Sequence, residues 1–495
     1  MQRHLDTRHT PAPEQLRRLS DLPGPRGLPW LGQALRLRPA RLHLQLEAWS
    51  RQYGPCYQFR FGQRTILVVA DHATIQTLLR ERPERFRRPL LGGRIAREMG
   101  FDEGLFFAND EVWQRQRRMV MAGLDPGHVK AYFPTLLNVT LRLRSRWRAA
   151  AQNGARIDLQ ADLMRFTVDA SAGLAFGVDV NTLDSDDDVI QQHLNRIFPK
   201  LHKRGLALLP YWRYVRLPSD RALDRSVAAV QQAILGFIAG ARHRMQLDPS
   251  RREQPRNLLE AMICAADRAD SDVNDHDVAG NVIVLLLAAE DTTANTLAWM
   301  IELLHRHPEA LERARAEVRS LAPDPAGFTP EQMAALDYLD ACAQETMRLK
   351  PVAPLLLVQA VNETTVAGVR VPADTVVFAL MRHDSLDAHD FPDPTAFKPE
   401  RWLNGGQTAP SSAASKRVSM PFGAGPRICP GRYLALLEMK MAMAMLLSSF
   451  GIETVAPAGG GATREHLSFS MGPVGLRMRL RPLHGEFQRL SANGA

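Results

Sequence analysis

A chain of 495 residues, 45% hydrophobic and 23% charged, has the composition of an ordered globular protein, which excludes a disordered or low-complexity one. Lys and Arg exceed Asp and Glu to give a net charge of +9, but the arginines are spread through stretches such as EALERARAEVRS, with no nucleic-acid motif, so nucleic acid is not an expected partner. Four cysteines (Cys56, Cys264, Cys342 and Cys429) form no CxxC and no even framework. With no signal-like leader and no run of about 18 apolar residues, the reading is a reducing, cytoplasmic setting without a membrane span.

In chain order, the first 21 residues are polar and are expected to be flexible. LPGPRGLPWLG (22–32) is too rich in proline and glycine for helix or strand and reads as a stiff lead-in. RLHLQLEAWSRQYG has helical spacing, and CYQFRFGQRTILVVAD reads as two strands with Tyr57, Phe59 and Phe61 alternating. From about Glu111 helical patterns dominate. The longest runs from about Val273 to His307 and is apolar almost all round except for a polar knot at Glu290–Thr293, so a helix buried on all sides is expected. A second β-rich region follows at about 355–380, and SFSMGPVGLRMRLRP predicts a hairpin closed at Gly472-Pro473.

In PFGAGPRICPGR (421–432), Cys429 stands just before a helical run, GRYLALLEMKMAMAMLLSSF, whose unpaired N–H groups and positive dipole end favour a thiolate. A buried structural thiol, a redox thiol, a zinc ligand and an iron ligand are all open for an isolated cysteine. Gly423, Gly425 and Gly431 leave the backbone free to approach a flat group, and Arg427 offers a fixed charge for a carboxylate. The segment Phe422 to Gly431 resembles, at every fixed position, the haem-binding signature FGxGxRxCxG of cytochromes P450, in which a Cys thiolate holds haem iron.

Other segments carry the same resemblance in the same order. Trp113 and Arg117 match the family's WxxxR. AAEDTT (288–293) is similar to AGxDTT, with Ala289 where glycine is usual. ETMR, Glu345 to Arg348, lies upstream of FKPERW with Arg401. A bare ExxR is a common solvated helix pair; its place before FKPERW is similar to the family's, and that resemblance implies a buried structural network of Glu345, Arg348 and Arg401.

The resemblance implies a mainly α fold with small β regions, a single P450 domain over 22–484, and a tail at 485–495. It implies haem b held by Cys429, with Arg427, Trp113 and Arg117 toward its propionates and Phe422, Gly423, Gly431 and Ala288 around it. Asp291 and Thr292 would deliver protons during oxygen activation. Arg382 and His383 are uncertain candidates for a further propionate contact. The activity implied is hydroxylation of an apolar or amphiphilic small molecule such as a fatty acid or terpenoid. A peroxide-driven peroxygenase and a haem gas sensor are the rival readings, against which the acid–alcohol pair counts.

Electrons from NAD(P)H would come through a separate ferredoxin or flavodoxin with its reductase, steered by Arg115, Arg118, Lys416, Arg417 and Lys440, to a monomeric enzyme. Substrate contacts are expected near 88–109, 194–214, 284–292, 352–357 and 468–474, with Phe106, Phe107, Leu286, Val352 and Leu355 in an apolar pocket. The aromatics and cations of IFPKLHKRGLALLPYWRYVRLP suit an anionic amphiphile.

Overall fold

The computed structural model describes residues 16–101, 104–124, 126–177, 181–184, 189–403 and 418–483. The helical patterns of the first half fold as α1 (Leu42–Tyr53), α2 (His72–Arg80), α3 (Leu90–Glu98), α4 (Asp110–Gly123), α5 (Pro126–Ala131), α6 (Phe133–Gln152), α7 (Leu159–Phe176), α8 (Val189–Gly205) and α9 (Pro218–Leu247). Those of the second half are α10 (Ser250–Glu253), α11 (Leu258–Ala266), α12 (Asp275–Arg306), α13 (Pro308–Leu321), α14 (Pro330–Ala334), α15 (Asp337–Leu349) and α16 (Arg432–Ser449).

Helix α12 is the axis of the helical part. The Asn274 side chain accepts bonds from the N–H groups of His276 and Asp277, and the Asp277 carboxylate accepts one from the Asn274 N–H, so its first turn is capped reciprocally. Val278, Val282, Ile283, Leu297 and Ile301 bury it against α7, α9, α11 and α16. Among the described residues it is the one helix long and apolar enough to cross a membrane, and most of that stretch is buried inside the protein.

The two β-rich regions, distant in sequence, form one sheet. Its strands β1 (Cys56–Phe61), β2 (Arg64–Val69), β3 (Phe86–Arg87), β4 (Leu355–Ala360) and β5 (Val376–Leu380) run in the order β1-β2-β5-β4-β3, with β2 parallel to β5. The two-residue period of the strands puts Leu67, Val69, Val377 and Ala379 on the face that packs with Leu78 and Leu79 of α2. Ile66, Val68, Phe378 and Leu380 point the other way, toward Tyr57, Phe59 and Trp299 of α12.

Two expectations change. Arg17 and Arg18, placed in the flexible segment from sequence, form a short strand parallel to Val369 and Arg370, so the chain is tied down before residue 22. The hairpin at the end does not close at Gly472-Pro473: Met471–Pro473 is a strand paired with Glu465–Leu467, and the turn lies at Ser468–Ser470. Gly472 is required by packing, since a Cβ there would stand 2.2 Å from Oδ1 of Asn295 on α12. The following strand, Leu476–Pro482, pairs with Phe450–Pro457.

Glu345 and Arg348 on α15 are fully buried and paired through two bonds, Nε to Oε2 at 2.8 Å and Nη2 to Oε1 at 2.7 Å. Arg401 and the Trp402 indole N–H also donate to Glu345, at 3.3 and 2.9 Å, while Arg348 reaches the carbonyls of Ser385, Pro394 and Ala396. The network clamps the segment 385–402 onto α15. Removing one partner leaves a buried charge uncompensated. Glu345→Ala is therefore expected to lower unfolding free energy by about 3–5 kcal/mol in urea titration; a change under about 1 kcal/mol contradicts the clamp.

Candidate functional site

Cys429 lies two residues before Gly431, the N-cap of α16, and its own N–H donates to the Phe422 carbonyl at 2.9 Å. Burial pushes its thiol pKa up, while the Gly431 N–H and the charges of Arg117 and Arg432 pull it down. Gly423, at φ +73°, and Gly431 border open space: a Cβ at either meets nothing within 4 Å. Gly425 has a different reason. A Cβ there would stand 2.3 Å from the Leu79 carbonyl oxygen, so that glycine serves contact with α2 and not with a flat ligand.

Beside this loop the structure gathers positive charge. Arg427 stacks over Trp113, its guanidinium carbon 4.6 Å from the ring centroid, and donates to the Ala108 carbonyl. Burial, with Arg88 and Arg82 as like-charged neighbours and Arg117 adding to them, lowers its pKa to about 9, which Asp110 offsets only in part. Arg82, nearly inaccessible, is lowered to about 9 and Arg88 to about 10, both mainly by burial. The Nε atoms of Arg88 and Arg427 are closed off from solvent with no hydrogen-bond partner among the described residues.

Such a cluster is costly without an anion between its members. A haem would fit: its two carboxylates would supply the missing charge, its plane would take the open space beside Gly423 and Gly431, and its iron would take the thiolate. Arg88 escaped the sequence reading because in RFRRPLLG nothing distinguishes it from the adjacent Arg87, which pairs with Asp374 at 2.7 Å. Arg382 is not available for this purpose. It is bound to Glu47 and Glu465, the latter also held by His43 and Lys350. His383 is engaged by Asp384 at 2.7 Å.

The polar knot of α12 divides by helical phase. Val284, Leu285, Ala288, Ala289, Asp291 and Thr292 make a partly open stripe on an otherwise buried helix, while Glu290 and Thr293 turn inward. The Thr292 hydroxyl donates to the Ala288 carbonyl at 2.7 Å. Asp291 has no hydrogen-bond partner among the described residues, and burial raises its pKa to about 6. On the inner side Glu438 of α16, which the sequence reading passed over, is hydrogen-bonded with the Thr293 side chain; burial raises its pKa to about 8, so it is protonated near neutral pH. Leu286 corrects an expectation: two residues before Ala288, it faces the helical core and not the open stripe.

Phe106 and Phe107 meet edge to face at 4.9 Å, and Phe106 reaches Phe469 of the Ser468–Ser470 turn at 5.4 Å. Arg88 lies 4.4 Å from the Phe106 ring centroid, which couples the charge cluster to the aromatic wall. The loop is pinned to α12 by the Leu105 N–H bond to Asn281 Oδ1 at 2.8 Å. Val352 is half-buried, and its carbonyl accepts from the Met471 N–H. Leu355 is half-buried against the sheet.

Three arginines expected to attract an anionic amphiphile are occupied: Arg204 by Asp220, Arg213 by Glu98 and Arg216 by Asp224. On the thiolate side, Arg118 is exposed and Arg115 lies 3.8 Å from Asp272. Lys440 is tied to the Met333 carbonyl and Asp340, so it is no free surface cation. Lys416 and Arg417 lie outside the described residues.

The raised carboxyl of Asp291 has a thermodynamic consequence. Above about pH 6 the fold must hold an anion that the unfolded chain ionises freely, and below about pH 4 neither state carries the charge. Asp291→Asn is expected to increase unfolding free energy at pH 8 by on the order of 2 kcal/mol, with the gain fading toward pH 4; a pH-independent difference contradicts the assignment.

The Cytochrome P450 family model matches residues 22–477. Similar proteins include the mitochondrial 25-hydroxyvitamin D-1 alpha hydroxylase of Mus musculus, 30% identical over 88% of this chain and 88% of its own. Thromboxane-A synthase of Rattus norvegicus is 28% identical over 90% of this chain and 88% of its own. The crystal structure of the cytochrome P450DA heme domain superposes with a TM-score of 0.80 over 94% of this chain and 98% of that one, at 23% identity, a likeness of fold. The chain belongs to the cytochrome P450 family: it is a haem-thiolate monooxygenase that uses haem b and O2, binds a small-molecule substrate and receives electrons from NAD(P)H through redox partner proteins.

Proposed function

We propose that this enzyme hydroxylates an apolar or amphiphilic small molecule, of the size of a fatty acid or terpenoid, in a pocket between the open stripe of α12 and the Phe106, Phe107 and Phe469 wall. The observation that carries this reading is the pairing of a thiol at the head of α16 with a cluster of buried arginines that lacks its anion. In it Cys429 ligates the iron, and Arg427, Arg117, Trp113 and Arg88 hold the propionates. Phe422, Gly423, Gly431 and Ala288 would lie against the ring. Glu345, Arg348 and Arg401 keep the surrounding segment in place.

When bound, haem b supplies the activation of O2 that puts one oxygen atom into a C–H bond. The chain supplies position, dryness and protons. Asp291, with a pKa of about 6, exchanges protons readily near neutral pH. Thr292, whose hydroxyl proton points to the Ala288 carbonyl, keeps its oxygen available to accept a hydrogen bond on the open side of α12. Phe106, Phe107 and the half-buried Val352 and Leu355 offer no charge, and the pairing of Arg204, Arg213 and Arg216 with acids favours an uncharged substrate over a fatty-acid anion.

The proposal also includes a ferredoxin or flavodoxin with its reductase as the electron source, docking near Arg118, and a monomeric, cytoplasmic enzyme. All four cysteines are unpaired, which suits a reducing compartment. The purified protein is expected to show the red-shifted Soret band of a thiolate-ligated CO complex on reduction, and Cys429→Ala to lose it. Thr292→Ala should keep the band but divert most of the electrons consumed from product to peroxide. A Cys429→Ala protein with the band intact overturns the ligand assignment, and product formation with H2O2 alone at the reductase-supported rate replaces the oxygenase by a peroxygenase.

A further inference from the structure

The segment HDSLDAHD (383–390), which the haem site does not use, packs two histidines and three aspartates into eight residues shortly after β5. The fold brings it a third histidine from far away in the chain. His72 is the first residue of α2, and its ring Nδ1 lies 2.8 Å from Asp384 Oδ2 and 3.9 Å from Asp390 Oδ2. One ligand atom from each of His72, Asp384 and Asp390 lies within 4.8 Å of the other two.

Fold-building accounts for part of this arrangement. Asp71 caps α2 by accepting from the Thr74 N–H at 2.8 Å, and the His72 N–H donates to Asp384 Oδ2 at 2.7 Å. Asp384 is thereby explained as a helix-end acceptor, but Asp390 is not. The Asp390 side chain is only 21% exposed, yet it accepts no hydrogen bond among the described residues, and its charge faces the rings of His72 and, at 3.5 Å, His389. Neither carboxylate has a Lys or Arg within 4.0 Å among the described residues, unlike Glu345, Glu465 and Asp220, each of which is held by an arginine. Histidine carries charge only when protonated, so two carboxylates share a largely covered site without a fixed cation.

An imidazole nitrogen with two carboxylate oxygens is a donor set that suits zinc and similar divalent transition ions, whereas magnesium and calcium take oxygen donors throughout. Bonds of about 2.1 Å to a tetrahedral ion set the donors about 3.4 Å apart. The separations of 2.8 and 3.9 Å around His72 Nδ1 bracket that value. The surroundings supply what such sites use beyond the ligands themselves. His383 Nδ1 holds Asp384 Oδ1 at 2.7 Å and so fixes the direction of that carboxylate. The His389 ring, 92% exposed beside Asp390, has room to turn in as a fourth donor.

We propose that His72, Asp384 and Asp390, with His389 completing the set, bind a divalent transition-metal ion of the zinc type. The ion ties the start of α2 to the segment that Arg348 holds on α15 through the carbonyls of Ser385 and Pro394. Leu79, about 10 Å further along α2, sets its carbonyl against Gly425 of the Cys429 loop. A bound ion therefore braces the helix on which that loop rests, from a position outside the haem site.

The test is calorimetric titration of the haem-loaded enzyme, first stripped of stray metal by a chelator that is then removed, with zinc chloride alone and with magnesium chloride alone. Zinc is expected to bind and to raise the thermal unfolding midpoint, and magnesium at the same concentration to do neither. Asp390→Ala, which removes no hydrogen bond, and His72→Ala should each keep the haem, bind zinc about ten-fold or more weakly, and lose the rise in midpoint. Zinc held at other histidines survives in both variants and is told apart in that way. The proposal is overturned if the parent binds no zinc, if Asp390→Ala binds it as tightly as the parent, or if bound zinc leaves the midpoint unchanged.

Discussion

Positive charge with no matching anion is the constraint around which the candidate site is arranged. Arg88, Arg117 and Arg427 come from three different parts of the chain, and burial lowers the pKa of each, so each is held where its charged form is disfavoured; Arg82, close to Arg88 in sequence, donates to the Leu79 and Ala424 carbonyls. Elsewhere the protein solves the same problem internally. Arg348 has Glu345, Arg382 has Glu47 and Glu465, and Arg204 has Asp220. The contrast separates arginines paired within the fold from arginines without a carboxylate partner among the described residues, and on the proposed reading a haem dianion would resolve the second set.

The same division runs along α12. A helix buried on nearly every side opens on one stripe, and helical phase alone decides that Asp291 and Thr292 look out from it while Glu290 and Thr293 look in. The outward carboxyl is poised near pH 6 and the inward Glu438 carboxyl near 8, through burial in both cases. Two acids on packed helices, one on the open stripe and one in the core, are thereby given unlike protonation at neutral pH without an internal ion pair.

What could be read without coordinates follows a physical line. Helices with a clear period, the thiol at the head of α16, and the Glu345–Arg348–Arg401 set are written in local spacing or short motifs, and were legible. Arg88 was not, because its importance comes from meeting Arg427, far away in the chain, and no local pattern marks it. The turn at Gly472-Pro473 misled for the same reason: the glycine answers to Asn295 on α12 and not to a hairpin. Leu286 was a different failure, since its phase relative to Ala288 already pointed to the core. The apolar residues of the α8–α9 connection were visible as composition, but only the fold shows Leu209 and Tyr214 turned outward.

The central claim, that the buried arginine cluster is completed by the haem carboxylates, is tested most directly by the rate at which the enzyme gives up its haem. In transfer to excess apomyoglobin, Arg88→Gln is predicted to release haem about ten-fold or more faster than the parent, and Arg87→Gln, altered at the adjacent arginine that is paired with Asp374, to match the parent. Equal release rates for Arg88→Gln and the parent would contradict the account.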